Sequence, residues 1–207
     1  MGPGRDWLWV ESRVGLCDHA GMPINTEPVQ ALVIVDVQRA FVTGERAVPA
    51  HEQLVAALTG LLERARTAGA VVIHLQNDGP AGADDEPDQP GWELHFPTVT
   101  SERETVIRKE EDNGFAGTDL ADHLERHGVR RIAVVGVMSE MCVLATARAA
   151  LERHFGVVMP HDGHATYDIP PAPGSTEGVP AALASRVAEW ALGDEVEIVA
   201  RTTDVRF

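Results

Sequence analysis

The strongest constraint on the fold is an alternation of almost wholly apolar runs with segments of helical spacing. Helical spacing occurs in "HEQLVAALTGLLERARTAG", "GTDLADHLERHG" and "CVLATARAALERH". A strand that is apolar on nearly every residue has to be covered on both faces. The pattern therefore predicts a doubly wound, Rossmann-like α/β fold, with a mostly parallel sheet of about six strands and helices on both faces. The predicted strands are Ala31–Val35, Ala70–Leu75, Thr105–Ile107, Arg131–Val135, Gly156–Met159 and Val196–Val199.

The length and composition of the chain favour a single domain. The chain has 207 residues, of which 44% are hydrophobic and 24% are charged, as is typical of one compact α/β domain. The first 28 residues contain two tryptophans and several turn formers but no sustained period. We therefore expect an N-terminal extension over residues 1–28, followed by one domain over residues 29–207.

The charge of the chain excludes some classes of partner. Lys and Arg total 17 against 32 Asp and Glu, which gives a formal net charge of −15. Such a chain has no broad attraction for the phosphates of nucleic acids or for anionic lipid, so we expect neither nucleic acid nor a membrane as a partner. No run approaches the roughly 20 apolar residues that span a bilayer, and the N-terminus lacks the apolar core of a signal peptide. We expect a cytoplasmic protein.

The two cysteines, Cys17 and Cys142, do not form a short metal-binding or disulfide motif. Their spacing argues against both a disulfide framework and a structural zinc site. A disulfide between them stays an alternative, although an intracellular chain disfavours it.

Polar side chains follow three of the predicted strands. Asp36 ends "ALVIVD", Lys109 ends "ETVIRK", and Cys142 follows "RIAVVGVMSEM" after a short turn. In an open parallel sheet, ligands bind beyond the carboxyl ends of the strands. Taken singly, the aspartate is typical of a helix cap, the lysine of a solvated side chain and the cysteine of a small buried hydrophobe. Together, a carboxylate, an ammonium and a thiol at one edge can perform acyl transfer.

The segment around Cys142 favours a nucleophile. If Ser139 caps the following helix, Cys142 lies in the first turn, where free N–H groups and the helix dipole stabilise a thiolate. Lys109 would lower the thiol pKa further. Asp36 would accept the thiol proton and return it to a leaving amine. The N–H groups of the same turn would hold a developing oxyanion.

Five segments, taken in order, carry a resemblance to a known family. They are "ALVIVDVQRAFV", "GAVVIHLQNDGP", "GWELHFP", "VIRKEEDNGFAGTDLADHL" and "VVGVMSEMCVLATARAALERHFGVVMPHDGHATYD". From about residue 28 onward the chain resembles the isochorismatase-like cysteine hydrolases, which include nicotinamidases and N-carbamoylsarcosine amidases. The resemblance implies a catalytic triad of Asp36, Lys109 and Cys142. It also implies a cis peptide bond between Val137 and Met138, with an oxyanion hole formed by the backbone N–H groups of Met138 and Cys142.

The resemblance implies a reaction that needs no cofactor. The Cys142 thiolate attacks an amide carbonyl, Asp36 protonates the departing ammonia or amine, and water hydrolyses the thioester. Nicotinamidases carry a metal site that includes an Asp-x-His pair, but "VTGERAVPAHEQL" offers no such pair, so we expect no metal.

The points at which this sequence departs from particular branches of the family narrow the expected substrate. We expect a small molecule with an amide, carbamoyl or lactam bond. Isochorismatases cleave a vinyl ether and generally lack the nucleophilic cysteine, which favours C–N hydrolysis here. The segments "QNDGP" and "GWELH" resemble small bacterial cysteine hydrolases, some of which open lactams. Two alternatives stay open. One is a vinyl ether hydrolase in which Cys142 is incidental, and the other is a binding protein without turnover.

Several further residues are candidates for substrate binding or support. Gln38 either supports the site through a hydrogen bond or begins a helix. Trp92, His95 and Phe115 lie in or beside loops that would roof the crevice, where they either bind a planar substrate or pack the loop against the body. Tyr167, the only tyrosine, is a further candidate.

The segment "HDGH", from His161 to His164, invites a metal-site interpretation. No cysteine or third histidine lies close to it in sequence, so we expect a loop without a metal.

The Ala-rich segment "CVLATARAALERH" is more apolar than a solvent-facing helix requires. Proteins of the family it resembles are commonly dimers or larger. We expect a homo-oligomer, either a dimer or a tetramer.

Overall fold

The computed structural model describes residues 27–207. The expected N-terminal extension therefore lies outside the described residues, apart from its last two, and so does Cys17.

The centre of the molecule is a single parallel sheet of seven strands. Its order is β3-β2-β1-β4-β5-β7, and the short strand β6 pairs with the end of β4. The predicted doubly wound fold is thus confirmed, with one strand more than the expected six. That strand is two residues long, too short to give an apolar run in the sequence. The strands are β1 Ala31–Val35, β2 Val71–Asn77, β3 Glu104–Lys109, β4 Arg131–Val137, β5 Gly156–Pro160, β6 His164–Ala165 and β7 Val196–Val199.

Helices cover both faces of the sheet, and each face has its own apolar core. On one face, α2 buries leucines spaced three and four residues apart and ends at Gly69, whose φ of 69° is typical of a helix C-cap. On the other face, α3 and α4 bury mainly leucine and alanine. The helices are α1 Arg39–Val42, α2 His51–Ala68, α3 Leu120–Arg126, α4 Leu144–Glu152 and α5 Ala181–Ala191. None of the helices in residues 27–207 is long and apolar enough to cross a membrane.

The sheet changes winding direction between β1 and β4, which lie side by side in its middle. Val35 of β1 is in register with Gly136 of β4. Gly136 has a φ of 124°, and a Cβ atom there would lie 2.0 Å from the Val35 carbonyl oxygen. Only glycine fits this close approach of two backbones. The carboxyl ends of these strands form the crevice in which a doubly wound sheet binds its ligand.

A long segment between β2 and β3, residues 78–103, folds back over this crevice. Its backbone is hydrogen-bonded to the residues that follow β1: the Arg39 N–H donates to the Glu93 carbonyl at 2.9 Å, and the His95 N–H donates to the Val37 carbonyl at 2.9 Å. The segment is therefore attached directly beside the end of β1.

Candidate active site

Asp36 and Lys109 meet at the carboxyl edge of the sheet. Asp36 directly follows β1, Lys109 ends β3, and β2 lies between the two strands. The Lys109 Nζ atom lies 2.8 Å from Asp36 Oδ2, and both side chains are almost fully buried. Asp36 has a φ of 52°, and its N–H donates to the Leu75 carbonyl at 3.0 Å. This hydrogen bond ties the aspartate to β2.

Cys142 completes the cluster that the sequence predicts. Lys109 Nζ donates to Cys142 Sγ at 3.4 Å. The same ammonium donates to Asn77 Oδ1 at 3.2 Å and to the Glu111 carbonyl at 3.1 Å. The Cys142 thiol donates to Asp112 Oδ1 at 3.5 Å. The three predicted side chains are therefore brought together, with Lys109 Nζ in contact with both the carboxylate and the sulfur.

The turn that carries Cys142 differs from the expected helix start. The peptide bond between Val137 and Met138 is cis. A π-helical turn spans Ser139–Val143, and α4 begins only at Leu144. Within the turn, Met141 departs from helical geometry, with φ of −111° and ψ of −106°.

Ser139 does not cap this turn, so that expectation is wrong. Its side chain is fully buried and lies 2.8 Å from His164 Nδ1 and 2.9 Å from Ser185 Oγ. The Ser139 hydroxyl is hydrogen-bonded to these side chains of other elements, so it does not cap the backbone of its own turn. Met138 and Cys142 lie at the start and near the end of the turn. Their role in an oxyanion hole stays a prediction.

The ionisation of the cluster is set by burial and by its mutual charges. Burial raises the pKa of Asp36 to about 6, although Lys109 and Cys142 act in the opposite direction. Burial opposes the Lys109 ammonium, but Asp36 and Cys142 outweigh it and raise the pKa of Lys109. Burial and the negative charge of Asp36 raise the pKa of Cys142 far above its usual range, despite Lys109.

The expected depression of the Cys142 pKa is therefore not found. Lys109 favours the thiolate, but burial and the negative charge of Asp36 outweigh it. At rest the cluster holds a neutral thiol beside an ion pair of Lys109 and Asp36. Among the described residues, nothing donates a hydrogen bond to the buried Asp36 Oδ1. This oxygen is available to accept a proton.

Gln38 supports the cluster through Asn77. The fully buried Gln38 donates from Nε2 to the Asn77 carbonyl at 2.9 Å and to the Trp92 carbonyl at 3.0 Å. The Asn77 N–H donates to Gln38 Oε1 at 2.9 Å. Gln38 also stands at the start of α1, but its side chain makes no capping hydrogen bond there. The supporting interpretation of Gln38 is therefore the one that the contacts favour.

Asn77, Asp85 and Asp112 are polar neighbours of the cluster that sequence reasoning missed. Asn77 Nδ2 donates to Asp85 Oδ2 at 2.7 Å, which orients Asn77 Oδ1 toward Lys109. The sequence does indicate Asn77, because Asn77 is a polar residue at the end of an apolar strand. Asp36 and Lys109 are indicated by the same kind of position. The loop residues Asp85 and Asp112 have acidic neighbours of the same type in "GADDEP" and "KEEDNG", so their sequence context does not distinguish them.

Trp92 and His95 both lie in the segment over the crevice and have partners within the chain. Trp92 Nε1 donates to Asp78 Oδ1 at 2.8 Å, and the Arg108 guanidinium lies 5.0 Å from the Trp92 ring centroid. His95 packs edge-on against Phe96, with ring centroids 5.1 Å apart. Burial lowers the pKa of His95, with a smaller contribution from a nearby arginine. Their roles toward a substrate stay predictions.

Phe115 and Tyr167 also make contacts within the chain. Phe115 is buried in the same apolar cluster as Cys142 and stacks on Phe155, with ring centroids 6.1 Å apart. The Tyr167 hydroxyl donates to the Arg46 carbonyl at 2.8 Å. These contacts agree with the packing alternative, and a role in substrate binding stays a prediction for both residues.

The histidines of "HDGH" do not converge on a metal site. His161 and His164 both contact Glu189 Oε1, at 2.5 and 3.1 Å. Within residues 27–207, no group of three or more His, Cys, Asp or Glu side chains is arranged to hold a metal ion.

The match to a known family covers most of the chain. The model of the isochorismatase domain matches residues 30–186. This range includes Asp36, Lys109 and the turn with Cys142, and it ends within α5. The chain belongs to the isochorismatase family. The resemblance drawn from its motifs is confirmed, and the protein is accordingly a hydrolase of that family.

Relatives of this isochorismatase-family hydrolase include proteins with named activities. Streptothricin hydrolase from Streptomyces noursei is 61% identical over 180 residues, which cover 87% of this chain and 71% of that protein. An isochorismatase from Pseudomonas putida has a structure that superposes with a TM-score of 0.76 at 27% identity, covering 86% of this chain and 93% of that one. N-carbamoylsarcosine amidase from Thermoplasma acidophilum shares the fold, with a TM-score of 0.67 at 23% identity over 84% of this chain and 97% of that one.

Proposed function

We propose that this isochorismatase-family hydrolase cleaves a C–N bond of a small molecule, in an amide, carbamoyl or lactam group, through a cysteine thioester. The observation that carries the proposal is the buried contact of Lys109 Nζ with both Asp36 Oδ2, at 2.8 Å, and Cys142 Sγ, at 3.4 Å. A carboxylate, an ammonium and a thiol held out of water in this order suit nucleophilic catalysis with a neighbouring general base.

The first half of the reaction forms the thioester. Asp36 accepts the thiol proton, and the Lys109 ammonium stabilises the thiolate as it forms. Cys142 Sγ attacks the carbonyl carbon, and the backbone N–H groups of Met138 and Cys142 hold the oxyanion. The C–N bond then breaks, and the protonated Asp36 gives its proton to the departing nitrogen.

The second half returns the enzyme to its resting state. Asp36 takes a proton from a water molecule, whose oxygen attacks the thioester carbonyl. The C–S bond breaks, and the Cys142 sulfur recovers its proton from Asp36. The net change is the addition of one water across the C–N bond, and no cofactor takes part.

Asp36 rather than Asp112 is the proposed base, although the thiol donates to Asp112 in the resting structure. Asp36 is buried, its pKa is raised toward neutrality and its Oδ1 has no other partner in the described chain. Asp112 is exposed to water. We therefore expect Asp36→Asn to abolish turnover and Asp112→Asn to reduce it by less than about tenfold.

The first substrate to test is streptothricin, because a protein named streptothricin hydrolase is 61% identical over the aligned residues. The purified chain is incubated with streptothricin and with a panel of simple amides, carbamoyl compounds and lactams. Products are read by mass spectrometry. Opening a cyclic amide adds the mass of one water, whereas cleaving a linear amide gives two fragments.

The Cys142→Ala variant serves as the blank in this screen. We expect it to fold but to release no product. Turnover of any of these compounds by the variant at the wild-type rate contradicts the proposal. Turnover of a vinyl ether substrate by Cys142→Ser favours the vinyl ether alternative, and wild-type binding without turnover favours the binding-protein alternative.

We infer a cytoplasmic homo-oligomer that acts on a small molecule and uses neither a nucleic-acid nor a membrane partner. Because no step needs a metal, dialysis against EDTA should leave turnover unchanged, and restoration of lost activity by added zinc or manganese contradicts that part of the proposal.

A further inference from the structure

A second cluster of polar side chains lies buried behind the turn that carries Cys142. It joins Ser139 of the turn, His164 of β6, and Ser185 and Glu189 of α5. All four residues are buried, between 0 and 7% exposed. Ser139 Oγ lies 2.8 Å from His164 Nδ1, and His164 Nε2 lies 3.1 Å from Glu189 Oε1. Ser185 Oγ lies 2.9 Å from Ser139 Oγ.

The donors and acceptors in this cluster follow from the chemistry of its groups. A carboxylate only accepts, so the hydrogen between His164 and Glu189 must stand on His164 Nε2. In a neutral imidazole, Nδ1 is then an acceptor, and it takes the hydrogen of the Ser139 hydroxyl. The Ser139 oxygen is left to accept from Ser185. The Ser139 hydroxyl therefore donates to His164 and accepts from Ser185, and both partners lie outside its own turn.

Glu189 is a buried carboxylate that the neighbouring groups keep ionised. Burial raises its pKa, but hydrogen bonds from His164 and His161 outweigh burial and lower it below the usual value. His161 Nδ1 lies 2.5 Å from Oε1, and Arg186 Nη1 lies 3.3 Å from Oε2. With the carboxylate fixed in this way, the imidazole of His164 is held in one tautomer and one orientation.

The turn has irregular backbone hydrogen bonds, in which the Met138 carbonyl accepts from both the Met141 and the Val143 N–H groups, at 3.1 and 3.2 Å. It is π-helical, Met141 leaves helical geometry, and no side chain caps it. The Ser139 hydroxyl attaches it to β6 and α5, and Thr166 Oγ1 adds one hydrogen bond to Glu140 Oε1 at 2.9 Å. Cys142 lies three residues beyond Ser139, so the position of its sulfur relative to Lys109 depends on how firmly Ser139 is held.

We infer that Glu189, His164 and Ser139 form a positioning relay that holds the nucleophile turn in its reactive geometry. None of the three touches the reacting atoms, so they are positioning residues. The inference rests on the proposed function, because an effect on kcat requires that Cys142 is the nucleophile. Displacing a reacting group by about 1 Å can cost on the order of a hundredfold in rate. Loosening the turn should therefore lower kcat more than it changes KM.

The test compares two variants with a matched control. Glu189→Gln keeps the size of the side chain but removes the charge that orients His164. Ser139→Ala removes the hydroxyl that is hydrogen-bonded to His164 and Ser185. The control is Glu104→Gln, because Glu104 Oε1 also lies 3.1 Å from the Nε2 atom of a buried histidine, His74, on strands β2 and β3. That pair makes no contact with the turn among the interactions of the described chain.

For Glu189→Gln and Ser139→Ala, we expect kcat to fall by about tenfold or more with KM changed less than about threefold. Glu104→Gln should keep the wild-type kcat even if it lowers the melting temperature. Circular dichroism checks that each variant is folded. If Glu189→Gln does not fold, Ser139→Ala carries the test, because it deletes only one oxygen. An unchanged kcat, or a loss confined to KM, in the folded variants overturns the inference.

A second readout does not depend on finding the substrate. Iodoacetamide alkylates the Cys142 thiol at a rate set by its exposure and its contact with Lys109. Each rate constant is read as the loss of signal from the unmodified Cys142 peptide by mass spectrometry. We expect Glu189→Gln and Ser139→Ala to change this rate constant by more than about threefold, and Glu104→Gln to leave it unchanged. A wild type without turnover on any substrate counts against the proposed function, whereas rate constants equal to wild type in both variants count against the relay.

Discussion

At the scale of single residues, the candidate site places two buried groups with raised pKa values, Asp36 and Cys142, in contact with Lys109. Asp36 is buried beside an ammonium, and its pKa is still raised to about 6. Cys142 is a neutral thiol at rest, because burial and Asp36 raise its pKa. In the proposed mechanism, the thiolate is therefore made only when Asp36 accepts the proton, and Lys109 stabilises it because its ammonium contacts both groups.

The pH dependence of catalysis should report Asp36. The carboxylate accepts the thiol proton only when it is ionised, which requires a pH above its pKa of about 6. We expect kcat/KM to be constant above that pH and to fall as the pH drops through it, tenfold for each further pH unit. A profile of kcat/KM against pH in a constant-ionic-strength buffer measures this. A rate that stays level from neutral pH to well below pH 6 is inconsistent with Asp36 as the base.

Removing the Lys109 charge should make the thiol harder to ionise. Lys109→Met keeps most of the side-chain volume but removes the ammonium that lowers the Cys142 pKa. We expect the iodoacetamide reaction to be slower than in the wild type across the measured pH range, and kcat to fall by about a hundredfold or more. The wild type is titrated in parallel. Superimposable alkylation profiles speak against coupling between Lys109 and the thiol.

At the scale of elements, the site depends on how closely β1 and β4 approach each other. Asp36 follows β1, and the turn with Cys142 follows β4. The approach is possible because Gly136 has no side chain and adopts a φ of 124°. The same two strands are the central ones of the sheet, so the stability of the fold and the geometry of the candidate site share this requirement.

Replacing Gly136 should damage the fold as a whole. In Gly136→Ala, the added Cβ atom would lie 2.0 Å from the Val35 carbonyl oxygen at a φ that L-residues avoid. We expect a loss of at least about 3 kcal/mol in the free energy of unfolding, measured by urea denaturation. The control is Gly60→Ala in α2, where the added methyl group meets no atom within 4 Å. That substitution should leave stability unchanged or raise it by up to about 1 kcal/mol. Equal stability of the two variants contradicts this account of Gly136.

At the scale of the whole molecule, the surface is acidic, but α5 exposes apolar side chains. The segment "CVLATARAALERH" predicts an oligomer, yet Ala147, Ala149 and Ala150 of α4 are buried in the core of their own chain. The alanine content of α4 is thus explained by packing within the chain. The most exposed large apolar residues of the described chain lie on α5 instead: Leu183, Val187 and Trp190 are 58, 63 and 76% exposed.

A homo-oligomer stays our prediction for the protein in solution. Residues spaced four and three apart on one helix share a face, and a contiguous apolar face favours association. We expect light scattering after size-exclusion chromatography to give a mass of at least twice the 22.3 kDa of one chain. The measurement is repeated across a dilution series to separate a stable assembly from aggregation. A mass of one chain at all concentrations contradicts the prediction.

Parts of the site escaped prediction because they depend on groups far apart in the chain. The thiol pKa required the burial of Cys142 and the position of Asp36, and neither is contained in the segment around the cysteine. Ser139 had the local pattern of a helix cap, but His164 and Ser185 supplied stronger partners from 25 and 46 residues away. Asp85 reaches Asn77 through a loop whose path no sequence period reveals.

The sequence by itself determined the doubly wound sheet, the order of its long elements and the three side chains at its carboxyl edge. The sheet follows from periodicity, because a buried strand must be apolar. Asp36 and Lys109 are polar residues at strand ends, and Cys142 lies one short turn beyond β4, at the same ligand-binding edge. Only the tertiary structure decided the charge state of Cys142, the partners of Ser139 and the buried polar cluster behind the turn. Those depend on desolvation and on hydrogen bonds between distant segments, and both exist only once the chain has packed.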